Sequence, residues 1–368
     1  MKMINLGTTN ITDKTKSLMT EALESGMIGS GKYVDEFEKE FAKWLGVKHA
    51  IAVSSGTMAD ACALAAIKYL DGEKRNEVIV PALTFIAQIN AIRYNHLKPV
   101  FVDVDKDFNI SVQKIKEKIT NKTLAIMPTH LLGRPARMHE ITALARQHNL
   151  FVVEDSCEAL GSKYYNTNVG TIGDAGCFSF FVSHSITTGE GGAVVTYNDK
   201  IADLVRSLRN HGRESDACEE KFLFPHIGFS GKMNSMEAII GLGVVPELNS
   251  HIEKRHKNAL ILNNLTNYPW MREENYEHIV PHSYPIMVES HEKRQKLLTD
   301  LPQKYGIEAR QIFYSIPTQS DACAFLGEKF GSYPMAEDIG LRGLYIPCHQ
   351  NVKYEELEYM TRVLKEVV

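Results

Sequence analysis

The sequence lacks several features that would place it in a specialised class of protein. Its 368 residues contain no run of about 18 apolar residues and no basic-then-apolar N-terminal segment, so we expect neither a membrane span nor export, and hence a cytoplasmic protein. The 41 lysines and arginines nearly balance the 45 aspartates and glutamates. A net charge of −4 gives no reason to expect nucleic acid or an anionic membrane as a partner.

Closely spaced cysteines are also missing. The six cysteines are scattered, without any CxxC pair, so we expect reduced and mostly buried thiols. Cys218 stands alone in its part of the chain. The sequence therefore predicts no metal site and no iron–sulfur cluster.

What is present is a block at residues 174–196, DAGCFSFFVSHSITTGEGGAVVT, around which the chain can be organised. Its apolar run, Cys177 to Val182, predicts a buried strand, and the polar segment Ser183 to Thr188 follows. The glycine-rich turn at 189–192 then leads into a second strand, Ala193 to Thr196. Short strands that end in glycine-rich loops are where α/β enzymes keep their chemistry.

A second strand exit predicts an anion site. Ala50 to Val53 reads as a strand, and Ser54-Ser55-Gly56-Thr57 leads into a helix, Met58 to Tyr69. The first amides of a helix are free, and the helix dipole places partial positive charge there. Gly56 and Thr57 could therefore cradle a phosphate, and on residues alone a plain helix cap is an equal alternative.

Further strand exits carry residues that could face the same site. Phe85 follows the strand Glu77 to Val80 and could equally be core filler. His130 follows the strand Leu124 to Pro128, and it could face the site or be packed. Asp155 follows the apolar strand Leu150 to Val153. A buried acid is costly unless it is paired with a cation, and a helix cap is the alternative role for it.

These motifs together resemble the sugar aminotransferases of the DegT/DnrJ/EryC1/StrS type. The resemblance is carried by IGSGKYVDEFEKEFAKWLGVKHAIAVSSGT at 28–57, the T-x-G-E-G-G turn, GIEAR at 306–310 and YPMAEDIGLRGLYIP at 333–347. It implies a pyridoxal-phosphate (PLP) protein of the α/β fold type I, like aspartate aminotransferase. We therefore expect an N-terminal arm and large domain over 1–250 with a mixed, mostly parallel seven-stranded sheet, and a smaller C-terminal α/β domain over 251–368. The resemblance also implies a homodimer with shared active sites.

The resemblance implies roles for individual residues. Phe85 matches the residue that stacks on the pyridine ring, Asp155 the ligand of the pyridinium nitrogen, and Glu158 a position near the ring or its 3-hydroxyl. Gly56, Thr57 and Ser179 match phosphate-binding positions, with Ser183 as a further candidate. Ser230 stands where the family has an asparagine that reaches the phosphate of the other subunit, and serine is shorter. His211, His130 and His349 are the expected substrate contacts.

At the position of the family's Schiff-base lysine this chain has His184, and no lysine lies between Lys163 and Lys200. This substitution, with EDSCEALG at 154–161, resembles the PLP-dependent sugar 3-dehydratases. Histidine cannot hold PLP covalently, but it can move protons near neutral pH. The resemblance implies non-covalent PLP and pyridoxamine phosphate (PMP), L-glutamate as amino donor, and a nucleotide-linked 4-keto-6-deoxy sugar. His184 would act as the base, the same imidazole would protonate the departing C3 hydroxyl, and the sugar would lose its oxygen at C3.

Two other readings stay open on the sequence. One is a nucleotide-sugar aminotransferase whose lysine is absent or supplied elsewhere, and the other is a non-catalytic relative that binds PLP or a sugar nucleotide. The sequence does not specify the nucleotide or the stereochemistry of the sugar.

Overall fold

The computed structural model describes residues 3–214, 222–266 and 269–368. Cys218 lies outside the described residues, and the other five cysteines are free thiols. The described part of the chain contains no helix that combines the length and the apolar character needed to cross a bilayer.

Seven strands form the central sheet, in the order β1-β9-β8-β5-β4-β2-β3. The strands are β1 His49–Val53, β2 Glu77–Pro81, β3 Lys98–Val102, β4 Thr123–Ile126, β5 Phe151–Asp155, β8 Ala175–Ser179 and β9 Gly192–Thr196. All pairs among β3, β2, β4, β5 and β8 are parallel, whereas β9 runs antiparallel to both β8 and β1. The predicted mixed, mostly parallel seven-stranded sheet is confirmed.

The sequence explains why these strands are central. Every residue of β2, β4 and β9 is buried, as expected where helices cover both faces of a largely parallel sheet. β8 and β9 are joined through the glycine-rich turn at 189–192. A Cβ on Gly192 would lie 2.5 Å from the backbone of Ser55. Glycine here lets the start of β9 approach the loop after β1, so the two loops meet beside the site.

Helices cover the sheet and extend the chain beyond it. They are α1 Asp13–Ser25, α2 Lys32–Leu45, α3 Gly56–Leu70, α4 Ile86–Tyr94, α5 Val112–Lys118, α6 Met138–His148, α7 Asp199–Leu208, α8 Ser235–Val244, α9 Leu248–Thr266, α10 His291–Tyr305, α11 Ile316–Gln319, α12 Pro334–Arg342 and α13 Tyr354–Val367. Short 3-10 turns occupy Leu131–Gly133, Val245–Glu247, Pro269–Met271 and Asp321–Leu326. The amphipathic α2 buries Phe37 and Phe41 against Phe180, with ring centroids 5.4 and 5.3 Å apart.

Two small antiparallel sheets complete the fold. One has the order β10-β6-β7, from Glu277–His278, Lys163–Tyr164 and Thr167–Asn168, and the other β11-β13-β12, from Tyr284–Met287, Gly343–Ile346 and Arg310–Gln311. The second sheet, with α10, α12 and α13, forms an α/β unit in the C-terminal part, as expected.

One expectation for this C-terminal part is wrong in detail. The sequence at Lys304 to Arg310 predicts a strand of the smaller domain, but α10 continues to Tyr305 and ends at Gly306 with φ 64°. The strand β12 covers only Arg310–Gln311. The apolar residues near 300 therefore belong to a helical face, on which Leu297 and Leu301 are buried.

The boundary proposed near residue 250 falls at the start of α9. The hydrophobic core runs across it, because one cluster includes both Leu83 and Ile316. The amide of Ile316 also donates to the carbonyl of Ala82 at 2.9 Å. The C-terminal part is thus packed directly on the loop that follows β2.

Candidate active site

A cavity of about 330 Å³ opens at the carboxyl ends of the parallel strands. This is the edge at which ligands bind in open α/β sheets. Eight of the residues predicted for the site line it: Gly56, Thr57, Phe85, Asp155, Glu158, Ser179, Ser183 and His184. Four further lining residues come from beyond residue 280: His282, Arg310, Phe313 and Tyr345.

The N-terminus of α3 forms one end of the cavity. Ser55 caps this helix by accepting a hydrogen bond from the amide of Met58 at 3.1 Å, which leaves the amides of Gly56 and Thr57 at the lining. A Cβ on Gly56 would lie 2.7 Å from the Cβ of Ser179, so only glycine leaves the hydroxyl and the helix end this close together. Free amides, a hydroxyl and the helix dipole suit a phosphate.

An aromatic wall stands at the mouth of the cavity. Phe85 is 54% exposed although it is a large apolar residue, and its ring centroid lies 5.3 Å from that of Phe313. The exposed face is thus available to a flat ring, which favours the stacking role over the core-filler alternative.

The floor carries two buried carboxyl groups, Asp155 and Asp60, exposed by 6% and 1%. Asp155 accepts from the amide of Cys157 at 3.1 Å, and none of the described cations pairs with it. Oδ1 of Asp60 is buried without a hydrogen-bond partner in the described part of the chain. Burial raises the pKa of both groups, and for Asp60 the charge of Asp155 raises it further. A cationic ring nitrogen would satisfy this floor.

His184 stands on the short loop after β8, with its ring on the cavity wall. Burial, and then the charge of Arg255, lower the pKa of His184 to about 3. Its Nδ1 is buried and has no hydrogen-bond partner among the described residues. The ring is therefore neutral at pH 7 and carries lone-pair capacity that the protein does not use.

Arg255 of α9 holds this loop in place. Its side chain is fully buried, and it donates to the backbone carbonyl of His184 at 3.1 Å and to that of His282 at 3.0 Å. It also donates to Oε1 of Gln350 at 2.9 Å. Burial lowers the pKa of Arg255 to about 10, so it remains a cation at neutral pH.

Glu158 contributes a carboxyl group whose pKa is unusually high. One oxygen accepts from the amide of Leu132 at 2.8 Å, and Leu132 adopts a left-handed conformation with φ 52°, which is strained for a residue of this type. Burial, opposed by that hydrogen bond and aided by the charge of Asp155, raises the pKa of Glu158 to about 7. Glu158 can therefore gain and lose a proton near neutral pH.

Known proteins resemble this chain over nearly its whole length. The model of the DegT/DnrJ/EryC1/StrS aminotransferase family matches residues 9–365. The chain belongs to this family. A GDP-perosamine synthase of Escherichia coli O157:H7 is 38% identical over an alignment of 372 positions. The alignment covers 100% of this chain and 99% of that protein. A GDP-4-keto-6-deoxy-D-mannose 3-dehydratase of Escherichia coli O55:H7 is 30% identical over 389 residues, covering 99% and 100%.

Among solved structures, a GDP-4-keto-6-deoxymannose-3-dehydratase variant with bound GDP-perosamine superposes with a TM-score of 0.88. It is 27% identical in sequence, and the match covers 98% of this chain and 99% of that one. The predicted family and the predicted PLP fold type I are both confirmed. As a member of the DegT/DnrJ/EryC1/StrS family, the chain is a PLP-dependent enzyme that modifies nucleotide sugars.

Two histidines expected to contact substrate in this family member do not reach the cavity. His130 is fully buried: its Nδ1 accepts from the amide of Ala136 at 2.9 Å, and its Nε2 lies 3.0 Å from Glu154. His349 is 6% exposed, and its nitrogens contact the carbonyl of Asn5 and the amide of Asn351 at 2.9 and 3.2 Å. Both rings are occupied by structural contacts, so these two assignments are corrected.

The other two outlying predictions, His211 and Ser230, are exposed and do not line the cavity of their own chain. His211 has φ 66°, and its amide donates to the carbonyl of Phe229 at 2.8 Å. The two residues lie close together, because Asn210 and Ser230 form a β-bridge. Their predicted roles in the family's shared site stay predictions.

Sequence reasoning missed His282, although its side chain is central to the cavity. The signal, a histidine just before β11, lies 98 positions from His184 and outside every motif of the family quoted above. Its ring centroid is 5.0 Å from that of His184.

Among the described residues, one cluster of potential metal ligands lies outside the cavity. His256, Glu273 and His278 each offer an atom within 4.8 Å of the others. Nδ1 of His256 already contacts the carbonyl of Ile279 at 2.8 Å, and the ring centroids of His256 and His278 lie 4.5 Å apart with the planes tilted by 35°. These contacts account for the arrangement without an ion.

Proposed function

We propose that this chain is a PLP- and glutamate-dependent 3-dehydratase of a GDP-linked 4-keto-6-deoxy sugar. The observation that carries the proposal is His184 in the place of the family's lysine. Of the described residues that line the cavity, none is a lysine. The guanosine nucleotide is supported by the names of the relatives, GDP-perosamine synthase and GDP-4-keto-6-deoxy-D-mannose 3-dehydratase.

The cavity suits PLP or PMP bound without a covalent bond. The N-terminus of α3 with Ser179 would hold the phosphate, Phe85 would cover one face of the ring, and Asp155 would pair with the ring nitrogen. The unpartnered carboxyl floor and the space left by Gly56 are the observations that favour this fit. When bound, the cofactor supplies an electron sink and an amino-group carrier.

His184 supplies the base. Because its pKa is lowered to about 3, the ring is neutral at physiological pH and accepts a proton without first losing one. Its buried position keeps bulk water from competing for that proton. Histidine offers no primary amine, so it cannot anchor the cofactor or displace the product as a lysine would.

The net reaction balances with glutamate as the reductant. Glutamate is oxidised by two electrons to 2-oxoglutarate and releases ammonia, and C3 of the sugar is reduced as its hydroxyl oxygen is lost. The water that leaves from C3 equals the water consumed in releasing the amino group. The product is a 4-keto-3,6-dideoxy sugar nucleotide.

A second function, amination at C4, is favoured by a different observation. The GDP-perosamine synthase is 38% identical to this chain, compared with 30% for the 3-dehydratase. Overall similarity reflects the whole chain, whereas the lysine is required for a covalent tether. We therefore favour the dehydratase.

A borohydride experiment tests the distinction at the cofactor. We expect all PLP to be removed from the wild-type protein by dialysis after borohydride treatment, and His184→Lys to retain it covalently.

In a separate turnover assay, ammonia and 2-oxoglutarate should be released in equal amounts from wild-type enzyme supplied with glutamate and the 4-keto sugar nucleotide. Covalent label in the wild-type protein, or 2-oxoglutarate without ammonia, would favour the aminotransferase.

We further infer that two copies of the chain associate. Phe222, Phe224 and Ile227 are 78%, 49% and 89% exposed, which is unusual for large apolar side chains of a monomer. These three residues lie between His211 and Ser230 in the sequence. A second copy bound to this surface would bring His211 and Ser230 near a shared site. Light scattering should give about twice 41.4 kDa.

A further inference from the structure

Arg310 is the one arginine or lysine among the described residues that line the cavity. It lies on β12 as the cross-strand partner of Tyr345 on β13, so the two side chains share a face of the small sheet. Its side chain is 50% exposed. Four acids line the same cavity: Asp60, Asp155, Glu158 and Glu190. Within the described lining, an entering anion therefore has a single guanidinium with which to form an ion pair.

This guanidinium is held in place by a neighbour outside the cavity lining. Nη2 of Arg310 donates to Oε1 of Glu308 at 2.9 Å. The other carboxylate oxygen, Oε2, accepts from the backbone amide of Leu6 at 2.8 Å, and Leu6 is only 1% exposed. A guanidinium has five N–H donors. The pair with Glu308 therefore fixes the position of the group and leaves donors for a ligand.

The neighbouring rings place Arg310 beyond His282 as seen from His184. The ring centroid of His282 lies 5.0 Å from that of His184 and 6.0 Å from that of Tyr345, the cross-strand partner of Arg310. Burial lowers the pKa of His282 most, and the charge of Arg310 is among those that lower it further. At His184, the charge that adds to the effect of burial on the pKa is that of Arg255. Arg310 is thus a cation in the cavity wall that is set back from the reacting centre.

We propose that Arg310 binds the γ-carboxylate of the amino donor and thereby makes the enzyme select glutamate. This inference rests on the part of the proposed function in which glutamate supplies the amino group. That amino group must reach the reacting centre beside His184, and the γ-carboxylate lies at the far end of the donor's side chain. A guanidinium can form two parallel hydrogen bonds with a carboxylate. The set-back position of Arg310 therefore suits the distal carboxylate of the donor.

Tyr345 adds a neutral donor beside this cation. Its side chain is 6% exposed and lines the cavity. Burial, and then the charge of Glu158, raise the pKa of Tyr345 to about 12, so its hydroxyl keeps its proton at neutral pH. One guanidinium matches the single charge of a carboxylate, whereas a diphosphate carries more negative charge than one guanidinium neutralises. The pair of Arg310 and Tyr345 therefore fits the amino donor better than the diphosphate of the sugar nucleotide.

Donor selectivity tests the assignment, because glutamine has the shape of glutamate without the γ charge. We expect wild-type kcat/KM for formation of the 2-oxo acid to be about 10- to 100-fold higher with glutamate, the scale of a hydrogen bond to a charged group. Arg310→Gln should lower the glutamate value by about this factor, mainly through KM, and leave the glutamine value within a factor of about three. Arg310→Lys keeps the charge without the fork and should fall between the two.

Arg362→Gln is the matched control, because this arginine is exposed on α13 and lies outside the cavity lining. It should change neither donor's rate. An equal loss of activity with glutamate and glutamine in Arg310→Gln would overturn the assignment. So would a higher KM for the sugar nucleotide with glutamate selectivity unchanged, which would point to a diphosphate contact.

A second measurement uses cofactor-free, full-length protein and no turnover. In nitrogen NMR of arginine-labelled protein, Arg310→Gln identifies the Arg310 signal, and Arg362 is the internal control. Glutarate, which has the carbon chain of glutamate without the amino group, should move the Nε signal of Arg310, and GDP should move it less. No movement with glutarate, or a larger one with GDP, would overturn the proposal. An aminated sugar from the wild-type enzyme would contradict the dehydratase and leave the role of Arg310 intact, because glutamate gives up its amino group in both functions.

Discussion

At the residue scale, the proposed chemistry depends on His184, an imidazole that is neutral and has an unused ring nitrogen. Replacing it by His184→Asn keeps a side chain of similar polarity but removes the proton acceptor. We expect deoxygenation to fall by about 10²- to 10⁴-fold, with PLP still bound because the phosphate end, Phe85 and Asp155 are intact. Product assays measure the fall in deoxygenation, and a PLP absorbance titration checks that the cofactor still binds. Full activity in the variant would refute the base assignment.

The same residue makes stability depend on pH. The folded-state pKa of His184 is about 3, below its ordinary value of 6.5, so its contribution to stability is complete above pH 6.5 and is lost as pH falls towards 3. Between pH 6.5 and pH 5 this loss is at most about 2 kcal/mol. Urea unfolding at pH 7 and pH 5 should therefore show a smaller acid loss for His184→Asn than for wild type. His148→Asn, an exposed site on α6, is the control and should behave like wild type.

Asp155 gives a further prediction at this scale, in which PLP affinity falls but the stability of the cofactor-free protein does not. Asp155→Asn removes the anion that would pair with the cofactor's ring nitrogen, so we expect PLP affinity to fall by about 10- to 100-fold, the worth of a hydrogen bond to a charged group. Without cofactor the variant should be no less stable, because burial raises the pKa of Asp155 and its charge is unpaired. A PLP titration and a thermal melt measure the two effects, and unchanged affinity would remove Asp155 from the ring-binding role.

At the scale of elements, α9 connects to the loop that carries His184 through one side chain, Arg255. Arg255→Met preserves volume but removes four hydrogen bonds to buried acceptors. We expect the free energy of unfolding to fall by about 3 kcal/mol or more, since buried acceptors lose a charged donor. Chemical denaturation measures the change. The matched control, Arg206→Met, removes an exposed ion pair with Asp203 and should cost about 0.5 kcal/mol or less. Equal losses of unfolding free energy in the two variants would contradict the stabilising role of Arg255.

The elements also show what the sequence could predict. The residue patterns predict β1 over Ala50 to Val53, α2 over Val34 to Leu45 and α13 over Tyr354 to Val367, and the structure has each element within two residues of these bounds. The prediction failed around residue 305, where a strand was expected over Lys304 to Arg310 although α10 ends at Tyr305 and β12 begins only at Arg310. The cap at Gly306 has a left-handed conformation, and this glycine was the local signal for the true helix end.

At the scale of the whole molecule, the cavity is assembled from both halves of the chain. The half nearer the N-terminus carries the motifs to which the sequence assigned site roles, and eight of its predicted residues line the cavity. His282, Arg310, Phe313 and Tyr345 close the other wall. Arg310 and Tyr345 lie in motifs quoted above, but the sequence assigned none of the four a role, because that role arises only when β11, β12 and β13 pack beside the loop after β8. His130 was misjudged for the converse reason, since a strand exit near the site can also point into the core.

The central claim is that an unanchored cofactor and a histidine base remove oxygen from the sugar instead of adding nitrogen. The most direct measurement is mass spectrometry with ¹³C NMR of the product formed from GDP-4-keto-6-deoxymannose, glutamate and PLP. The account predicts a nucleotide sugar that keeps its C4 carbonyl and carries a CH₂ group at C3. A product with an amine at C4 and the C3 hydroxyl retained would contradict it.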